Sequence, residues 1–305
     1  MQAKCRCKIK NMKLMTNPPE SNANAGRGAK EQENVIRAHV RVSSELLIVC
    51  TSYTNPSRTL SYLTAPISTK SSTQLNMAAN SVALILGYGP GVGAAVAKKL
   101  ASNGYKVAVA SRSGKTSAEG FLSLKADFSN PDSIPALFTS VKDEFKAAPS
   151  VVVYNAATLT PPPDTSSIFT TPKEAIVSDL NINTISAYVA AQQAVSGWES
   201  LPKEAKKTFI YTGNMLNTAP LPSPTLMTLG IGKSASASWI GLADTLYASK
   251  GFRFFYADER TETGAPVGSA VDGDAHAEFY AQLANHEGDV PWSATFVKGK
   301  NYAKF

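Results

Sequence analysis

The sequence predicts an α/β fold of the Rossmann type: a doubly wound, mostly parallel seven-stranded sheet with helices on both faces. Three observations predict it. From Ser81 onward, short apolar runs alternate with longer amphipathic stretches, the pattern of doubly buried strands joined by crossover helices. The first run, Ser81-Val-Ala-Leu-Ile-Leu86, ends directly in the glycine cluster Gly87-Tyr-Gly-Pro-Gly91-Val-Gly93. An Ala-rich helical pattern follows at once, which makes the cluster a tight turn opening a helix whose N-terminus can hold a phosphate.

The elements follow in order. Strand one is 81–86, and helix one covers about 91–103, where Asn103-Gly104 stops it. Strand two is 106–110. A short strand at 121–125 leads to Asp127, and Asn130-Pro131-Asp132 opens the next helix. Strand four is 151–154. After Pro161-Pro162-Pro163, one long helix runs from near Pro172 to about Trp198. Strand five is 208–212, and a proline-studded loop at 218–224 precedes a small-residue helix over about 226–249. Strand six is 252–256, a helix covers about 274–286, and 294–297 closes the sheet.

Composition locates the fold within the chain. Of the 305 residues, 43% are hydrophobic and 17% charged, with a net charge of +7. Residues 1–76 hold eleven Lys/Arg and four Glu and so carry all of that excess, while 77–305 are formally neutral. The basic balance therefore argues against a nucleic-acid-binding core. Cys5, Cys7 and Cys50 also lie in 1–76, so neither a disulfide framework nor a Cys-ligated metal is expected beyond them. His276 and His286 match no metal-ligand spacing and read as surface or helix residues. The longest apolar piece of 1–76, Leu46–Cys50, is too short to span a membrane. Residues 1–76 read as a polar basic extension, disordered or lacking from the mature protein, and 77–305 as a single domain. Cytoplasmic placement is expected, with a mitochondrial address the alternative if the basic extension is a transit segment.

The glycine spacing decides between nucleotide loops. Gly-x-Gly-x-x-Gly from Gly87 fails at Val92, whereas Gly-x-x-x-Gly-x-Gly fits Gly87, Gly91 and Gly93. With that loop between strand and helix, the chain resembles the short-chain dehydrogenase/reductase family. Ser111-Arg112 ends strand two, where NAD-specific proteins place an acid for the ribose 2′-hydroxyl. No acid occurs between Lys98 and Glu119. Arg112 reads either as the partner of a 2′-phosphate, which favours NADP(H), or as an ordinary surface arginine. The resemblance implies that Asp127 meets the adenine; a helix-capping role is the other reading. It places Asn155, in Tyr154-Asn155-Ala156-Ala157, beside the nicotinamide ribose. It also places Asn183, with Asn181 as rival, on a helix asparagine that supports a water-linked proton relay.

The resemblance breaks at the catalytic pair. The family's Tyr-x-x-x-Lys puts Lys233 on the lysine but Leu229 on the tyrosine, and Asn214 stands where a serine is usual. A phenol beside an ammonium is an effective acid near neutral pH; leucine carries no proton to give. Lys233 is expected to grip the ribose and Asn214 to hydrogen-bond a substrate oxygen. Tyr211 is a candidate donor, provided that strand alternation turns it rather than Thr212 toward the cleft. Beyond strand six, Ala257-Asp-Glu-Arg260 replaces the family's Pro-Gly.

The leading expectation is an atypical NADP(H)-dependent oxidoreductase acting on a small organic carbonyl, alcohol or activated double bond. The alternative is a non-catalytic NADP(H)-binding sensor or scaffold. Partners are a small-molecule substrate, with no nucleic acid, membrane or metal; a homo-oligomer is among the assembly states open to it.

Overall fold

The structure, a computed structural model, describes residues 81–305. The extension at 1–76, its cysteines and the start at Met77 lie outside the described residues. Eight strands form one sheet in the order β3-β2-β1-β4-β5-β6-β7-β8. They are β1 (Val82–Leu86), β2 (Lys106–Ser111), β3 (Leu122–Lys125), β4 (Val151–Tyr154), β5 (Lys207–Thr212), β6 (Phe252–Arg260), β7 (Ser293–Val297) and β8 (Asn301–Tyr302). The first seven are parallel. β8 is an added antiparallel edge strand on β7, so the expected seven strands are eight. Its two residues are too short to show a period in sequence.

Alternation along each strand sorts side chains between two cores. On one face Leu84, Val152, Phe209 and Phe254 pack under α2 (Ile134–Phe145), α4 (Ser186–Trp198) and α5 (Met227–Tyr247). On the other, Ile85, Val153, Ile210 and Phe255 meet α1 (Val92–Ser102) and α6 (Gly273–Ala284). Trp198 anchors the first core, fully buried, with its indole N–H donating to the Pro149 carbonyl at 2.9 Å. Truncating such a ring to alanine costs roughly 3–5 kcal/mol.

Local signals set the boundaries. Asn103-Gly104 closes α1 as a Schellman turn, with Gly104 at φ +93°, its N–H on Ala101 and that of Tyr105 on Leu100. Asn130 caps the short turn before α2 through its side chain, and Asp272 caps α6 by accepting from Ala275 N–H.

Two expected elements differ. The long helix is α3 (Lys173–Leu180) and α4, joined by a π-helical turn over Asn181–Ile185. In that turn Ser186 N–H reaches Asn181 O, one residue further back than α-helical bonding, and small and polar residues allow a deviation that no periodicity announces. β6 runs four residues past Tyr256, because Asp258, Glu259 and Arg260 pair with Thr295, Phe296 and Val297 of β7. The expected strand ends at Tyr256, yet these three charged residues continue it and are buried.

Candidate functional site

β1 and β4 lie side by side but lead to helices on opposite faces, the switch point where doubly wound sheets bind ligands beyond their carboxyl ends. Gly87 turns the chain there at φ +101°, and a Cβ on it would sit 2.3 Å from Ala156 N. Only glycine meets both demands. Asn155 Nδ2 donates to Gly87 O at 2.9 Å, so this side chain braces the loop. A Cβ on Gly93 would lie 2.7 Å from that same oxygen, whereas one on Gly89 or Gly91 meets nothing within 4 Å. Val92, half-buried, starts α1, which has no capping side chain at Gly91 and no acid in its first turn. The positive end of α1 is thus uncapped, with room beside Gly89 and Gly91, a geometry that suits a pyrophosphate.

At the end of β2, Ser111 Oγ accepts from Gly114 N–H at 3.2 Å and lies 3.4 Å from Ser113 Oγ. Arg112 is exposed and makes no hydrogen bond or ion pair among the described residues. The register sets Lys125 directly across from Ser111, a second cation that sequence spacing alone did not single out. The next acid along the chain, Glu119, is engaged by Lys98 at 2.9 Å and by the Tyr88 hydroxyl at 3.2 Å. Asp127 is exposed, and its Oδ1 accepts from Ser129 N–H at 3.0 Å and Ser129 Oγ at 2.7 Å. These bonds hold its carboxyl below the usual range, so capping occupies one of its two oxygens.

Under the other half of the cleft, Tyr154, Tyr211 and Tyr256 face one another across β4, β5 and β6. Their rings stack with centroids 5.8 and 5.6 Å apart. Each hydroxyl holds a main-chain carbonyl: Tyr154 that of Ile182 at 2.6 Å, Tyr211 that of Asn183 at 2.6 Å, Tyr256 that of Asn214 at 2.7 Å. Alternation thus turns Tyr211 into the core rather than the cleft, which removes it as a proton donor. Burial pushes its pKa up, reinforcing the neutral, bonded state. Asn183 is likewise wholly buried, and its amide holds Thr158 through Oδ1 to N–H at 2.9 Å and Nδ2 to O at 2.8 Å. It braces the loop after β4 instead of reaching the cleft. Its rival Asn181 donates to Ser129 O. Asn214 Oδ1 caps the turn at Leu216 N–H, leaving the Nδ2 protons.

Lys233 comes from α5 and is only 4% exposed. Its Nζ donates to Thr212 O at 2.6 Å and lies 4.5 Å from the Tyr211 ring centre. Burial pushes its pKa down to about 7, against an upward pull from Asp258. Asp258 and Arg260 lie on the same β6 face as Tyr256, where Arg260 Nε and Nη2 each reach Asp258 Oδ2 at 2.6 Å. Burial raises the Asp258 pKa to about 6, opposed by Arg260 and Lys233. On the opposite face Glu259 accepts from Asp272 N–H at 2.9 Å, and His276 Nδ1 lies 3.4 Å from it. His276 lies on α6, as the helix alternative has it, but is buried at 2% exposure rather than on the surface, while His286 is half-buried and bonded to Thr208 at 2.9 Å. The i, i+2 spacing of Tyr256, Asp258 and Arg260 is the signal that could have revealed this cluster, had the strand been extended.

An open glycine loop at the switch point of a doubly wound sheet defines the nucleotide-binding α/β class. A family model described as short chain dehydrogenase matches residues 81–210. The short chain dehydrogenase/reductase dmxR12 of Cryptosporiopsis sp. (strain 8999) is 39% identical over 238 residues, covering 73% of this chain and 94% of that relative. Solved structures agree on the fold. A short-chain dehydrogenase/reductase from Serratia marcescens BCRC 10948 superposes with TM-score 0.57 at 21% identity, over 72% of this chain and 97% of that one. One from Burkholderia cenocepacia J2315, in complex with NADP, gives 0.58 at 20% identity over 73% and 97%. A third, from Mycobacterium marinum, gives 0.60 at 18% identity over 73% and 96%. The chain belongs to the short-chain dehydrogenase/reductase family, oxidoreductases that use nicotinamide dinucleotides. No described helix is long and apolar enough to cross a membrane.

Proposed function

We propose that this protein is an atypical NADP(H)-dependent oxidoreductase that acts on a small organic carbonyl, alcohol or activated double bond. One observation carries the reading. The carboxyl edge of a single sheet presents an exposed, partnerless Arg112 at β2 and a buried, titratable Lys233 at β5 and β6, with the open α1 terminus between them. Arg112, Ser111 and Lys125 would hold a 2′-phosphate, the α1 terminus a pyrophosphate, and Lys233 the ribose next to the reacting ring. The cofactor supplies the hydride when bound.

The protein's own task is to hold the substrate and move one proton. Leu229 stands four residues before Lys233, where the resemblance implies a tyrosine, and the nearby tyrosine hydroxyls are engaged by carbonyls. Lys233 keeps two N–H donors beyond its bond to Thr212 O. Its pKa near 7 lets it give a proton to a substrate oxygen and regain one from water. Asn214 Nδ2 is the second donor for that oxygen. The exposed Tyr188, Leu242 and Leu246 on α4 and α5 support self-association through these helices.

The test is calorimetric titration with NADPH and NADH, then NADPH oxidation across ketones, quinones and enones. Preferential NADPH binding with turnover of one class is the expected result; no dinucleotide binding sinks the reading. Binding without turnover, in both the parent and Leu229→Tyr, favours a sensor. That second reading draws on the Tyr154, Tyr211 and Tyr256 hydroxyls being engaged by carbonyls.

A further inference from the structure

At the end of β6, where the resemblance implies Pro-Gly, the chain carries charged residues that are buried rather than solvated. Asp258 and Arg260 are 3% and 6% exposed. Such a pair is costly to desolvate, and further hydrogen bonds offset part of that cost. Arg260 also donates from Nη1 to Gly264 O at 2.9 Å, which ties down the turn at 261–264. Asp258 accepts both Arg260 bonds on Oδ2 alone, and no hydrogen bond forms to its Oδ1 among the described residues. The β5–β6 register puts Tyr211 opposite Tyr256. Asp258, two residues on, is therefore on the face that carries Lys233 over the Tyr211 ring.

We propose that Asp258, anchored by Arg260, is the positioning carboxylate of this site: it favours the charged form of Lys233, which has two N–H donors left for a ligand. The inference rests on the reading of Lys233 as the ribose- and oxygen-binding group, and deepens it by naming what regulates that group.

The charges around Lys233 support this. On β5 it lies over the neutral Tyr211; the same face of β6 carries the neutral Tyr256, the Asp258 carboxylate and Arg260; Thr212, whose carbonyl it holds, is bonded through its hydroxyl to Tyr280 of α6. Asp258 is the anion that opposes the desolvation of Lys233. Without it, burial among aromatic rings would favour the neutral amine. A neutral amine keeps its lone pair and loses the charge-assisted grip on hydroxyl and carbonyl oxygens. In this arrangement ligand binding weakens as Lys233 loses its proton, and Asp258 sets the pH at which that happens.

The experiment is an NMR titration of the full chain labelled with 13C-lysine, without cofactor. The Lys233 Cε signal is assigned by its loss in Lys233→Met. In Asp258→Asn the midpoint should fall by about one unit, the lower end of the effect of a nearby opposite charge, and Asp258→Glu should restore it. An unchanged midpoint in folded Asp258→Asn overturns the proposal. If that variant does not fold because Arg260 is left unpaired, the double variant Asp258→Asn/Arg260→Met removes both charges. It should show a smaller fall, and an unchanged or raised midpoint there overturns the proposal equally. NADPH titration of the same proteins tests the underlying reading separately. A shifted midpoint in a chain that binds no NADPH keeps Asp258 as the residue that charges Lys233 and removes the dinucleotide assignment.

Discussion

The Tyr211 hydroxyl donates to the main-chain carbonyl of Asn183 across 2.6 Å, inside the core. That carbonyl lies in the π turn between α3 and α4, and it also accepts from Ser236 Oγ at 3.1 Å. One residue earlier, Tyr154 takes the carbonyl of Ile182, whose α-helical partner, Ser186 N–H, bonds to Asn181 instead. The tyrosine ladder thus satisfies carbonyls at a deviation that buried backbone could not otherwise tolerate.

Tyr211→Phe therefore tests structure rather than chemistry. Losing one buried hydrogen bond should lower stability by about 1 kcal/mol, read as a shift in urea midpoint. Turnover of whatever substrate the panel identifies should change little. A 100-fold loss of turnover in the folded variant, the scale of lost general-acid catalysis, would return Tyr211 to the mechanism.

Arg112→Ala should weaken NADPH binding by roughly 1–3 kcal/mol, the range for hydrogen bonds to charged groups, and leave NADH nearly unchanged. Titration calorimetry of both dinucleotides reads this directly. Equal affinities in the parent protein would sink the assignment.

Two glycines of one loop should respond differently. Gly87→Ala places a Cβ 2.3 Å from Ala156 N at φ +101° and should impair folding. Gly91→Ala meets nothing within 4 Å and should melt close to the parent, while weakening dinucleotide binding by filling the space over α1. Thermal melts with and without NADPH separate the two. An unaltered Gly87→Ala melt would contradict the described turn.

Lys233 predicts a pH dependence of stability. Its pKa falls from the ordinary 10.5 to about 7 on folding. Between those values the unfolded chain binds a proton that the folded one does not, so stability should rise with pH across that window. Urea midpoints at pH 7, 8 and 9 should climb in the parent and climb less in Lys233→Met. Lys207, also lowered by burial, keeps a residual slope of the same sign. Identical slopes would place Lys233 outside the desolvated site.

Residues 1–76 carry all the excess positive charge. A chain beginning at Met77 should melt cooperatively near the temperature of the full chain and bind NADPH as well. A drop of many degrees would show that the extension contributes to the domain.

The parallel sheet, its helices and the glycine turn were legible in sequence because each depends on local pattern. An apolar run must be buried on both faces, and Asn103-Gly104 ends a helix wherever it occurs. Gly87 and Gly93 were found as spacing, and the structure supplied their reason in contacts with Ala156 and with each other. Tyr211 and Asn183 were found as candidates and misplaced in role, since a two-residue period cannot say which face of a central strand borders the cleft.

What the sequence determined by itself is the order of elements, the nucleotide loop and the absence of a phenol four residues before Lys233. Only the tertiary structure decided that β6 runs on through Asp258, Glu259 and Arg260, that His276 is interior, and that Lys233 shares a face with a buried carboxylate. Pattern reading assigns charges to solvent because isolated charges are costly to bury. A charge becomes tolerable inside when a partner remote in sequence meets it, as Thr212 O meets Lys233 and Asp272 N–H meets Glu259, and such meetings exist only after the chain has folded.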